Sequence, residues 1–198
     1  MVNISFKIKI NKMKKSIFLG LMLSLSLGVF AQTKTPDTHS GHDMKMETSV
    51  KSSLDSEVQS SVNKMLVSYY AVKNALIADD GKTANAQAGE LVKALAVVPM
   101  AKMTEEQHKI FMGLSDKIKF DAEHINETME VKHQRDHFND LSNNIFALVK
   151  GLKTNTNPVY QQYCPMKKAY WLSDNAAVKN PYYGKAMLTC GKVMETLK

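Results

Sequence analysis

Residues 55–81 read DSEVQSSVNKMLVSYYAVKNALIADDG, and the spacing of their apolar side chains decides the fold. Val58, Val62, Met65, Tyr69, Val72 and Leu76 recur at alternating steps of four and three residues. That spacing puts all six on one stripe of a helix with 3.6 residues per turn. Asp79-Asp80-Gly81 ends the stripe with turn chemistry.

Working outward from this segment, the pattern repeats. Ala84, Ala88, Leu91, Leu95 and Val98 form a second stripe, stopped by Pro99. Thr104 and Gln107 have the spacing of a capping box. They precede Phe111, Leu114, Ile118 and Ile125. After a break near residues 126–130 come Phe138, Leu141, Ile145, Leu148 and Leu152. Helices are therefore expected over about 55–79, 83–98, 104–126 and 130–152, joined by short connections. The expected class is all-α, an up-and-down four-helix bundle whose narrow stripes are core. From Thr154 onward the helical period is lost. The only Trp and five of the seven Tyr crowd into residues 160–183, with a turn at Asn180-Pro181 and Gly184. This stretch is expected to be an irregular Tyr/Cys-rich segment packed on the bundle, so that residues 54–198 make one domain.

Upstream of the first stripe the texture differs. Lys12-Met13-Lys14-Lys15 precedes an apolar run from Ile17 to Phe30, and small residues, Val29 and Ala31, occupy the −3 and −1 positions of a cut after Ala31. A basic start, an apolar run and a small-residue cleavage site are the marks of a secretory signal peptide over residues 1–31. The run is short of the roughly 20 residues that span a bilayer. The expected location is the periplasm or another exported compartment, with no membrane insertion after cleavage. Met13 is an alternative start to Met1. Residues 32–53 are polar, lack aromatics and read as a flexible leader. Within it, His39, His42, Met44 and Met46 fall in eight residues, a donor set suited to a soft or borderline ion such as copper.

The whole chain of 198 residues is 44% hydrophobic with a formal charge of +7, too apolar for a wholly disordered protein. The charge invites a nucleic-acid reading. Cleavage after Ala31 would remove Lys7, Lys9, Lys12, Lys14 and Lys15 and no acid, leaving +2. Without a basic footprint or a nucleic-acid motif, no nucleic-acid partner is expected.

The chemistry concentrates in Cys164-Pro165-Met166 and Met187-Leu188-Thr189-Cys190. Two thiolates and two thioethers suit Cu(I) or Ag(I), whereas a hard ion would need oxygens. A Cys164–Cys190 disulfide fits the same residues in an oxidising envelope. Closing the 26-residue separation would stabilise the fold by roughly 3.5 kcal/mol in the chain-entropy model. Both alternatives stand, and they coexist if metal binds only the reduced pair.

Residues 160–193 carry the blocks YCPM, AYWL, NPYYG and MLTCG. In combination they resemble an uncharacterised domain of bacterial envelope proteins. That domain is found alone in exported Bacteroidetes proteins and at the C-terminus of periplasmic adaptor subunits of copper/silver efflux pumps. The resemblance implies a helical fold, a link to heavy-metal handling and efflux-pump components as partners. Cys164, Met166, Met187 and Cys190 match the family's Cys- and Met-bearing motifs. One departure is visible: only Lys167-Lys168 separates CPM from AYWL, where family members often have a longer stretch.

Three further residues are weaker candidates for metal. His133 and His137 are one helical turn apart, and His124 lies on the preceding helix, within reach across the hairpin. Their surroundings read as a solvated charged face. His108, in a first turn beside Glu105 and Glu106, reads as surface. Cys164 and His137 would make a nucleophile and base only with an oxyanion loop, and no glycine-rich one is present. No enzyme is expected. The expectation is an exported binder of Cu(I), with silver possible; its rival is a disulfide-clamped adaptor that docks on an envelope complex.

Overall fold

The computed structural model describes residues 53–198. The expected signal peptide and nearly all of the leader, including His39, His42, Met44 and Met46, lie outside the described residues. Four helices follow one another: α1 (Ser56–Ile77), α2 (Gly81–Ala96), α3 (Glu105–Asn126) and α4 (Val131–Leu152). Each boundary is within two residues of the span read from the sequence. The capping residues explain the starts. The Asp55 carboxylate accepts from Glu57 N at 2.8 Å, and that of Asp80 from Thr83 N at 2.9 Å. Thr104 and Gln107 form a reciprocal capping box.

Consecutive helices pack on one another, and the apolar stripes meet in one buried cluster. All six stripe residues of α1 are fully buried. Tyr69 of α1 stacks on Phe138 of α4, ring centres 5.2 Å apart, closing the first helix against the last.

The C-terminal segment corrects the all-α expectation. It forms a three-stranded antiparallel sheet in the order β2-β1-β3, from β1 (Val159–Cys164), β2 (Ala169–Ser173) and β3 (Lys192–Leu197). The physical reason is composition: Val, Tyr and Trp favour the extended backbone and pack well on a pleated surface. A tight turn over Pro165–Lys168 joins β1 to β2, with Lys168 N donating to Cys164 O at 2.8 Å. A bulge between Gln161 and Gln162 shifts the register against β3, so buried and half-buried residues do not alternate simply along β1.

The sheet belongs to the same core as the helices. Val159, Cys164, Ala169, Trp171, Leu172 and Tyr182 are buried in the cluster with the bundle's apolar residues. Polar links fasten the two layers. Leu172 N donates to Tyr69 Oη at 2.9 Å, and Tyr69 shares a 2.7 Å hydrogen bond with Ser142. Arg135 of α4 donates to the carbonyls of Leu76 and Pro181 and to Asp79. Lys73, almost wholly buried, reaches Ser173 Oγ and the Asp174 carboxylate, each at 3.2 Å. No helix among the described residues is long and apolar enough to cross a membrane.

Candidate functional site

The fold brings the two cysteines together. Cys164 ends β1 and is fully buried, while Cys190 is half-buried just before β3. Their Sγ atoms stand 3.9 Å apart and are not bonded. Two pieces of local structure hold this approach. The β1–β2 turn wraps back over the Cys164 sulfur, and Lys167 N–H points at it from 3.4 Å. Buried Asn180 fixes the other side: its amide donates to Cys190 O at 2.7 Å, its Oδ1 accepts from Tyr182 N, and its own N–H bonds Leu188 O. The sequence marked Asn180 as a turn residue only. Its role in seating Cys190 depends on a contact ten residues away and has no local signal.

The electrostatics of the pair are asymmetric. Burial opposes ionisation of Cys164, but the Lys167 and Met166 backbone N–H groups and the Asn180 amide point at its sulfur, and its pKa falls below the ordinary thiol value. Burial pushes the Cys190 thiol up, and the neighbouring Cys164 sulfur adds to this. The first proton therefore leaves Cys164, and a negative sulfur there resists the second loss. Met166 and Met187 sit in the two turns that flank the pair, and both are exposed. Lys167, next to Met166, pairs with Asp136 of α4 at 3.0 Å and ties the turn to the bundle.

The histidines also assemble. The His137 ring centre lies 4.6 Å from that of His124 and 4.9 Å from that of His133. Asp121, buried in α3, accepts from His137 Nδ1 at 3.1 Å, and Phe120 O accepts from His124 Nδ1 at 2.9 Å. Asp121 was not among the sequence candidates, because its pairing with His137 depends on how α3 and α4 lie against each other. His108 is exposed near the start of α3. Among the described residues, no three or more His, Cys, Asp or Glu side chains converge as an assembled metal site.

Fold and site together define a small α+β domain, a four-helix bundle with an antiparallel sheet that holds a thiol pair. Residues 65–157 match the model of a family described as a protein of unknown function, DUF3347. The match covers just under half of the chain, from the middle of α1 to the linker before β1, and leaves out the sheet with both cysteines. No curated protein and no solved structure matches the chain.

Proposed function

We propose that this is an exported soft-metal-binding protein of heavy-metal homeostasis or efflux, with Cu(I) its ion and silver a second. The 3.9 Å approach of Cys164 and Cys190 carries the proposal. Two sulfurs this close can share one ion with little backbone movement, and the depressed Cys164 pKa favours the thiolate that a metal requires. The donor chemistry fits: thiolate and thioether are soft ligands, and Met166 and Met187 have exposed side chains free to turn toward the pair. Bound there, the ion would supply no reaction; the chain's residues would hold and hand it on. The likeness of the YCPM and MLTCG blocks to the efflux-linked envelope domain supports the same direction, as does the signal peptide expected over residues 1–31. The leader residues His39, His42, Met44 and Met46 would act as a loading arm.

Titration of reduced protein with Cu(I) against a competing chelator tests this. Wild type should take up one ion, and Cys164→Ser/Cys190→Ser should lose affinity by at least a hundredfold. Equal affinity in the two proteins would refute the site.

The same sulfur approach favours one rival, a disulfide-clamped adaptor that docks on an envelope complex. Thiol counting on protein isolated without reductant separates the two. A fully oxidised pair that resists mild reductant and takes up no copper selects the adaptor.

A further inference from the structure

We infer that His124, His133 and His137 form a second metal site, distinct from the thiol pair, that takes a borderline divalent transition ion of the Cu²⁺, Ni²⁺ and Zn²⁺ class. The three side chains come from α3 and α4, so the hairpin packing of the helices makes the site rather than one loop. With metal–nitrogen bonds near 2.0–2.1 Å, two imidazoles on a tetrahedral ion have ring centres roughly 5 Å apart. The central His137 ring is 4.6 and 4.9 Å from its neighbours. His137 thus already stands at ligand spacing from each of the other two rings.

Proton placement is the second support. A backbone carbonyl can only accept, so His124 Nδ1, 2.9 Å from Phe120 O, carries its proton. The Asp121 carboxylate fixes His137 in the same tautomer. Both rings thereby keep their Nε2 lone pairs for a metal. A buried carboxylate behind a histidine is the arrangement that orients such ligands and raises their basicity. Here Asp121 is a positioning residue, not a ligand.

The surrounding charge favours a cation. Lys119 is drawn to Glu123, while Lys132 and Lys167 are drawn to Asp136. These three lysines are therefore engaged by carboxylates, and Asp121 and Asp140, with Lys117 near them, add negative charge beside the cluster. Imidazole suits the borderline ions, whereas Ca²⁺ and Mg²⁺ need oxygen ligands.

In the structure the His124 and His137 rings are stacked, 29° between planes, rather than convergent. An ion must turn the rings so that the Nε2 atoms face one another. His133 is exposed and His124 and His137 are half-buried, so the turn is one of side chains at a surface.

The test is Zn²⁺ and Ni²⁺ titration of the full mature chain carrying Cys164→Ser and Cys190→Ser, which removes the thiol pair from the result. It is read by calorimetry and by imidazole ¹⁵N shifts. One ion should bind, shifting Nε2 of all three histidines, and His133→Ala/His137→Ala should weaken binding at least tenfold. Asp121→Asn should weaken it roughly ten- to a hundredfold while the far-UV spectrum stays native. His39→Ala/His42→Ala should leave this binding unchanged. No binding, binding lost only in the leader variant, or binding unaffected by His133→Ala/His137→Ala would each overturn the site. None of these outcomes bears on Cu(I) at the cysteines.

Discussion

At the residue scale, the two cysteines differ because their donors differ. Cys164 lies inside the turn that follows it, where backbone N–H groups of Met166 and Lys167 favour its thiolate. Cys190 faces a sulfur that ionises first, and its own thiolate is disfavoured by burial and by that neighbour. For an acid, a lowered pKa means more of the anion at a given pH. Followed by thiolate absorbance, the reduced pair should therefore lose its protons in two steps, one below and one above the ordinary value of 9.0. Cys190→Ser should leave a single step still below that value, since backbone and Asn180 donors remain. Cys164→Ser should move the remaining Cys190 step down, because two of the influences that raise it come from Cys164. Two coincident steps at the ordinary value would show that the turn does not cradle the sulfur. That Cys164 and Cys190 stand together was legible in the sequence, because a shared ion and a disulfide both require it. The asymmetry was not, since it rests on N–H directions set by one turn and by Asn180.

At the scale of elements, the junction of bundle and sheet rests on few groups. Tyr69 is fully buried; its hydroxyl accepts from Leu172 N in β2 and bonds Ser142 in α4. Tyr69→Phe keeps the ring stacked on Phe138 but strands a buried N–H. It should destabilise the protein by roughly 1–3 kcal/mol with an unchanged dependence on denaturant. A change under about 0.5 kcal/mol in urea unfolding would mean that water reaches Leu172 N. The helices themselves were legible because each signal is local: a stripe at steps of three and four, a cap at one end, a Gly, Pro or polar break at the other. The strands were not. Gln162, a polar residue, is fully buried, its amide bonding the carbonyls of the loop after β2. Next to it the bulge breaks the two-residue period that marks a strand. The density of Tyr and Trp was the remaining signal, and it speaks for extended backbone as much as for irregular packing.

At the scale of the whole molecule, the family match and the physical core do not share a boundary. The match ends at residue 157, two residues before β1, yet the buried cluster runs on through Trp171, Leu172 and Tyr182. Trp171 and Leu172 are fully buried, and Tyr182 is 5% exposed. Side chains of this kind contribute roughly 1.5–3 kcal/mol each when buried, and removing them would also uncover Tyr69 and Phe138. The sum is comparable with the roughly 5–15 kcal/mol by which a domain is stable at all. Helices need that packing, since propensity alone leaves them marginal. A chain ending at Asn157 should therefore keep part of its helical far-UV signal but lose the sharp unfolding transition. The intact chain should unfold in one step, with Trp171 fluorescence and helical ellipticity changing together. A shortened chain that unfolds sharply, near the midpoint of the intact one, would make the bundle self-sufficient and the sheet an appendage. A single step in the intact chain alone would bind the thiol pair to the bundle's stability. Any ion held at Cys164 and Cys190 would then raise the midpoint for the helices as well, by the free energy of its binding to the folded state.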